Sequence, residues 1–460
     1  MVESEHDRVH VETVIAGGQV VLPDGTRRAE VGIADGSIVA IGSPGSLQAE
    51  HEIDATGMIV MPGGIDPHTH IQWPLANGDT GHDDFRSATQ RAAAWGTTTI
   101  VDFVPGTAGS LLDAAEHRLE QAEVSLIDYS LHPVVTRLND STIGEIPRLI
   151  AEGMSSFKVY TTYDNRLESA DVRRFIRMAS EAGGLPGFHA EHHPLLEDAL
   201  TAARKLGNLG SSGFPASRPD HTESAAIREI TGYAREFDAP TYIYHVSSAA
   251  ALAEINNARD EGTDVRAETC AHYLTFDDSA YGRADGWKYV ITPPIRSAHD
   301  QQVLWRAVAD GHLDAVASDH CAYSVTNKRT GFEDFTAMEP GAPGIASRMP
   351  VLWQRGVNDA RLTLEQFVRV NSERPAQVLG LSRKGKIALG YDADLVVWDP
   401  DAHWEWGRDF GGDNGTDYDI YAGVQGQGRP RFTLSRGTVV FGENAVESHR
   451  GQFTRQDTRK

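Results

Sequence analysis

Cysteine is scarce in this chain: Cys270 and Cys321 are the only two in 460 residues. Two lone thiols make no disulfide framework and no Cys-x-x-Cys ribbon, and they fit a reducing compartment. Long apolar runs are missing as well. None approaches the length of a membrane span, and the N-terminal "MVESEHDRVHVE" lacks the apolar stretch of a signal peptide. The expectation is a soluble cytoplasmic protein with no membrane partner. Positive charge is in deficit. Lysines and arginines number 42 against 65 aspartates and glutamates, and the net charge of −23 argues against nucleic acid as a partner.

What is present is enough for more than one ordinary core, so two domains or one large barrel with additions is expected at this length. Residues 1–61 are short β-type runs broken by Asp-Gly and Gly-Gly turns: "VIAGGQVVLPDG", "AEVGIADGSIVAIG", "MIVMPG". Residues 381–460 return to that texture in "GKIALGYDADLVVWDP" and "TLSRGTVVFGENAV". Both ends together suggest one β-domain. The tail from Asp401 is rich in Gly, Asp and Arg, and it either wraps a neighbour or stays loose. Residues 62–380 alternate strand-like and helix-like runs. Eight candidate strands, from "GGIDPHTH" to "LDAVASDH", are the pattern of an α/β chain folded as a (β/α)8 barrel. Doubly wound open sheets alternate too.

In a barrel the chemistry gathers at the C-terminal ends of the strands. Polar residues stand there repeatedly. "MPGGIDPHTHIQWP" ends an apolar run with His68 and His70, and residues i and i+2 of a strand point the same way. "SSFKVY" carries Lys158, "GFHAE" His189, "YIYHVS" His245 and "AVASDH" Asp319. Each alone has an ordinary explanation: a satisfied core histidine, a snorkelling lysine, a helix-capping aspartate. Together, at equivalent places on different strands, they point to a metal centre, which relieves the cost of burying them.

The chain resembles the amidohydrolase superfamily and, within it, the cyclic amidohydrolases: dihydropyrimidinase, hydantoinase, allantoinase and dihydroorotase. The resemblance rests on "PGGIDPHTH", "DDFRSAT", "GTTTIVDF", "SSFKVYTTY", "HAE", "YHVSS", "ETCAHYL", "TPPIR", "VASDH" and "GYDADLVVWDP". It implies a barrel with a β-sandwich built from both termini, two divalent ions (zinc most commonly) and a homotetramer. It implies that His68, His70 and Asp319 bind one ion and that His189 and His245 bind the other. Lys158 would bridge them after carboxylation of its amine. A hydroxide shared by the ions would open a cyclic amide, with Asp319 as general acid/base and Tyr163 as oxyanion donor.

Backbone groups near Thr292 and near Pro340-Gly341 are expected to hold the ring amide. Gln72 stands where dihydroorotase-like enzymes place a carboxylate-reading arginine, which disfavours a carboxylated ring. Trp73, Pro74, Leu75, Leu167 and the stretch after Tyr163 are rim candidates whose apolar character suits an uncharged or aromatic substituent. "HAEHHPL" adds His192 and His193, either as surface residues or as imidazoles near the second ion. The substrate reading is a hydantoin or dihydropyrimidine. The alternatives are allantoin, another cyclic amide or imide, or a non-catalytic scaffold.

Overall fold

The computed structural model describes residues 9–75, 78–106, 108–407 and 414–459. Residues 1–8 and 408–413, which belong to the expected sandwich segments, lie outside the described residues. The N-terminal strands are β1 (Val9–Ala16), β2 (Gln19–Leu22), β3 (Gly25–Arg28), β4 (Glu30–Ala34), β5 (Ser37–Gly42), β6 (Leu47–Asp54) and β7 (Ile59–Pro62). The barrel strands are β8 (Gly64–His70), β9 (Thr97–Val104), β10 (Asp128–Pro133), β11 (Ser156–Tyr160), β12 (Leu185–His189), β13 (Thr241–Ile243), β14 (Val265–Cys270), β15 (Ala315–Ala317) and the short β16 (His320–Cys321). The chain returns with β17 (Leu395–Glu405), β18 (Gln425–Ser435) and β19 (Thr438–Phe441).

The sandwich draws on both ends of the chain. One sheet runs β5-β4-β1-β6, and the other runs β19-β18-β17-β7-β2-β3. Leu395 of β17 faces Pro62 of β7 across an antiparallel ladder. Alternation puts Val20, Val31, Ile33, Ile38, Val60, Leu395, Val397 and Leu434 into one buried layer. The β4–β5 turn is Asp35-Gly36, with φ of +48° and +70°; positive values at both central residues are what a tight hairpin needs. The sandwich strands end at Pro62 and the barrel begins at Gly64, so we propose domain limits near residues 61 and 380.

All eight expected barrel strands form. They pair in parallel from β8 to β10 and from β11 to β15. A bridge between Val134 and Lys158 joins the two arcs, and β16 pairs with β8 to close the ring. Helices at Phe85–Ala94, Ser169–Glu181, Asp220–Glu236 and Ala249–Asp260 fill the expected amphipathic stretches. Asp84 caps the first through a reciprocal capping box with Ser87. The described end of the tail docks on its own barrel. Gln456 Oε1 accepts from the Ser156 amide (2.8 Å) and hydroxyl (2.7 Å), and the Thr454 amide donates to the Tyr129 carbonyl (2.7 Å). The tail thus lies over the N-terminal ends of β10 and β11.

A buried charge cluster ties the two units together at that end. Lys384 Nζ lies 2.6 Å from Asp128, 3.0 Å from Asp392 and 2.5 Å from Asp394. Arg436 adds a contact of 2.8 Å to Asp128. Burial alone would lower the lysine's pKa, but the three carboxylates outweigh it and raise the value. Removing the cation would strand buried carboxylates. We expect Lys384→Met to cost about 3–5 kcal/mol at neutral pH in a denaturant titration, and Asp128→Asn in the same chain to recover part of that loss.

Candidate metal centre

The C-terminal strand ends bring His68, His70, Lys158, His189, His245 and Asp319 to one cavity mouth. All six are at least nine-tenths buried. His68 Nε2 lies 2.9 Å and His70 Nε2 3.3 Å from Asp319 Oδ1, and the two imidazole nitrogens are 3.1 Å apart. His189 Nδ1 and His245 Nε2 are 2.9 Å apart, and the His68 and His245 ring centroids are 5.4 Å apart, so the two pairs adjoin. His245 (φ +41°), Asp319 (φ +49°) and Tyr163 (φ +69°) all occupy the left-handed region, which side chains other than glycine rarely adopt. Each follows a strand end. Backbone strain of this kind gathers where surrounding structure holds a side chain to a task.

Two carboxylates absent from the sequence reading hold the imidazoles from behind. Glu268 Oε1 lies 2.5 Å from His68 Nδ1, and its other oxygen accepts from the Tyr242 hydroxyl at 2.7 Å. Glu191 Oε2 lies 2.7 Å from His189 Nε2 and 2.5 Å from Arg218. Each fixes the tautomer and leaves the opposite ring nitrogen's lone pair facing the cluster. Their signal in the sequence is slight: Glu191 lies two residues after His189, and Glu268 lies two before the end of β14.

The electrostatics favour the neutral form at His70, His189 and His245, whereas at His68 burial is outweighed by Asp319 and Glu268 and the pKa is raised. Burial lowers the pKa of His70 to about 3 and lowers those of His189 and His245. Burial opposes ionisation of Asp319, but His68 and His70 outweigh it and hold the carboxyl well below its usual range. Neutral imidazole and ionised carboxylate are the metal-ligating forms. The donor atoms of His68, His70 and Asp319 all lie within 4.8 Å of one another. This donor chemistry fits a divalent cation.

Lys158 has another character. Its Nζ sits 4.0 Å from the Tyr244 ring centroid, 4.8 Å from Phe103 and 5.2 Å from Tyr160, and it makes no ion pair among the described residues. Burial lowers its pKa to about 8. Gly187, opposite Lys158 on β12, makes this packing possible: a Cβ there would lie 2.5 Å from the Tyr244 ring.

The mouth opens into a cavity of about 230 Å³ lined in part by Trp73, Tyr163, Thr292, Pro340 and Gly341. The Tyr163 hydroxyl donates to Thr292 Oγ1 at 2.7 Å. Gln72 is not brought to the cavity wall; its amide is tied to Asp83 at 2.9 Å and its φ is +48°. Leu75 and Leu167 are buried in packing and Pro74 is exposed, so of the rim candidates Trp73 lines the cavity, joined by Asn165 from the stretch after Tyr163. His192 caps the helix His193–Leu206, and neither it nor His193 lines the cavity. His320 holds Asp83 (2.9 Å) and accepts from the Gly344 amide (3.0 Å), which fastens two loops.

A sequence profile of the amidohydrolase family matches residues 59–440. The chain belongs to that family. This amidohydrolase is 38% identical to a D-hydantoinase of Ralstonia pickettii, over 97% of this chain and 99% of that one. It superposes on a D-hydantoinase from Bacillus sp. AR9 with a TM-score of 0.93 and 35% identity, covering 98% of this chain and 100% of the other. It also superposes on a dihydropyrimidinase from Brevibacillus agri NCHU1002 with a TM-score of 0.92 and 35% identity, covering 97% and 99%. The amidohydrolase therefore has the barrel-plus-sandwich architecture expected from its sequence. No helix among the described residues is long and apolar enough to cross a membrane.

Loss of a carboxylate behind a ligand weakens metal binding without removing the ligand. Glu268→Gln should lower divalent-ion affinity roughly 10–100-fold in competition against a chelator. Unchanged affinity would mean that His68 is oriented by packing alone.

Proposed function

We propose that this amidohydrolase hydrolyses the carbon–nitrogen bond of a cyclic amide, a hydantoin or dihydropyrimidine ring, using two divalent ions, with zinc the first candidate. The observation that carries the reading is the set of four imidazoles, one carboxylate and one unpaired buried lysine at a single cavity mouth. A non-catalytic scaffold has no need of it. His68, His70 and Asp319 would hold one ion, and His189 and His245 the other. Lys158 would bridge them as N6-carboxylysine: its neutral amine adds to CO₂, one proton leaves, and the resulting anion offers an oxygen to each side. Burial favours the neutral amine that this addition needs. When bound, the ions supply acidified water for attack on the ring carbonyl.

The remaining steps belong to the chain. Asp319 Oδ1 faces both imidazoles, and Oδ2 has no partner among the described residues. That oxygen can take the water's proton and pass it to the leaving ring nitrogen. Burial raises the Tyr163 pKa to about 12, so its hydroxyl remains a donor at neutral pH. From its place beside Thr292 it would donate to the developing oxyanion. Backbone groups at Thr292 and Pro340-Gly341 would hold the ring amide.

A second cavity of about 260 Å³ shares Tyr163, Thr292 and Pro340 with the first; beyond them its wall is apolar at Leu196, Leu200, Phe214, Phe335 and Met338 and polar at Arg204, Ser217, Arg218 and Thr336. The apolar part of the wall supports an alkyl or aromatic ring substituent. The amidohydrolase would work in the cytoplasm as a homotetramer.

The test is ring opening by metal-replete protein across dihydrouracil, hydantoin, aryl- and alkyl-hydantoins, allantoin, dihydroorotate and simple imides. We expect turnover of the hydantoins or dihydrouracil, none with Lys158→Ala, and a roughly 10²–10³-fold lower kcat with Tyr163→Phe. Turnover of dihydroorotate alone would overturn the substrate reading.

A further inference from the structure

The second cavity departs from the charge of the chain around it. The net charge is −23, yet Arg204 and Arg218 line this cavity and, among the described residues, no aspartate or glutamate does. The reaction cavity, by contrast, is lined by Glu339. Leu196, Leu200 and Arg204 follow one another at helical i, i+4 steps on the helix His193–Leu206, so apolar surface and a cation share one face. The Arg204 charge acts on Asp334, but Asp334 Oδ1 accepts from the Thr336 amide (2.9 Å) and hydroxyl (2.6 Å) instead. No ion pair or side-chain hydrogen bond holds the Arg204 guanidinium among the described residues. Arg218 stands at the junction of the two cavities. Its Cζ is 5.2 Å from the Tyr163 ring centroid, and Nη1 donates to Glu191 Oε2 at 2.5 Å. A guanidinium carries five donors in a planar fork, so one partner does not exhaust it.

We propose that the second cavity is a subsite for a ring substituent with an apolar stem and an anionic end, a carboxylate in the simplest case, which pairs with Arg204 and Arg218. The stem lies on the apolar wall. The carboxylate meets forked donors that match its two oxygens. Stem length decides the sign of the effect. An anion on a short stem stays in the reaction cavity beside Glu339 and is repelled. One on a longer stem passes Tyr163, Thr292 and Pro340, which the cavities share, and is attracted. The proposal rests on the hydrolytic reading and narrows its substrates.

Two matched pairs of substituted hydantoins, offered to the metal-replete enzyme, test this. The long pair is para-carboxybenzyl hydantoin and its carboxamide; the short pair is carboxymethyl hydantoin and its carboxamide. The expected kcat/KM is roughly 10–100-fold higher for the long carboxylate than for its amide, with no such gain in the short pair. Added salt should narrow the long pair's ratio, because Arg204 is exposed to solvent. Arg218 also holds Glu191, so Arg204 carries the mutational test. Arg204→Gln should reduce the long pair's ratio and Arg204→Glu should erase it; both changes fall on an exposed helix position that the fold tolerates. Equal kcat/KM within the long pair, an equal gain in the short pair, or an unchanged ratio in Arg204→Glu would each overturn the subsite and leave the hydrolytic reading standing. Failure to open any ring would overturn the hydrolytic reading instead, and calorimetric binding of the long pair would then decide the subsite. Tighter binding of the carboxylate by wild type but not by Arg204→Glu upholds it, and equal binding overturns it.

Discussion

A lysine amine is buried among three aromatic rings with no carboxylate in contact, and the surrounding chain is arranged to keep it there. Tyr244, Phe103 and Tyr160 surround Lys158. Gly187 lets Tyr244 approach. Four imidazoles and Asp319 lie on the neighbouring strand ends. A buried ammonium without a counter-ion is unfavourable, so the site is stable in one of two ways: the amine is neutral, or it becomes an anion that cations can answer. The second way would turn an electrostatic liability into the proposed bridging ligand. The lowered pKa values of His70, His189 and His245 and the carboxylates behind His68 and His189 fit that proposal.

The barrel supplies position, and the strain at its rim supplies aim. Parallel register places Tyr160 beside His189 and Lys158 beside Gly187. Left-handed backbone at His245 and Asp319 turns those side chains at the point where the strands end. At the opposite end of the barrel, Lys384 and its three aspartates hold barrel and sandwich together, and the C-terminal residues cover β10 and β11. Chemistry and anchoring thus occupy separate faces of one fold.

The legible parts of the sequence were those with local signals. The strand runs and amphipathic helices carry their periodicity within a dozen residues, and His68, His70, Lys158, His189, His245 and Asp319 each sit at the end of such a run. Glu268 and Glu191 were not legible as supports. Their partners are set by which strands adjoin and which loop folds back, and acidic residues are common in this chain. The Lys384 cluster joins residues 128, 384, 392, 394 and 436, and no local pattern links them. Gln72 was placed by its distance from His70, but a left-handed turn takes it off the cavity wall. The tail's docking depends on Gln456 meeting Ser156 some 300 positions away.

The central claim is that the Lys158 amine becomes a carbamate that organises two cations. The direct measurement is the activation of metal-stripped protein by added divalent ion, at controlled dissolved CO₂ and pH. Carbamate formation needs the neutral amine, whose share grows as pH rises through the Lys158 pKa of about 8. The account predicts that activation at fixed dissolved CO₂ becomes faster over that range, and that it slows when CO₂ is removed. Activation independent of CO₂ at every pH would contradict it.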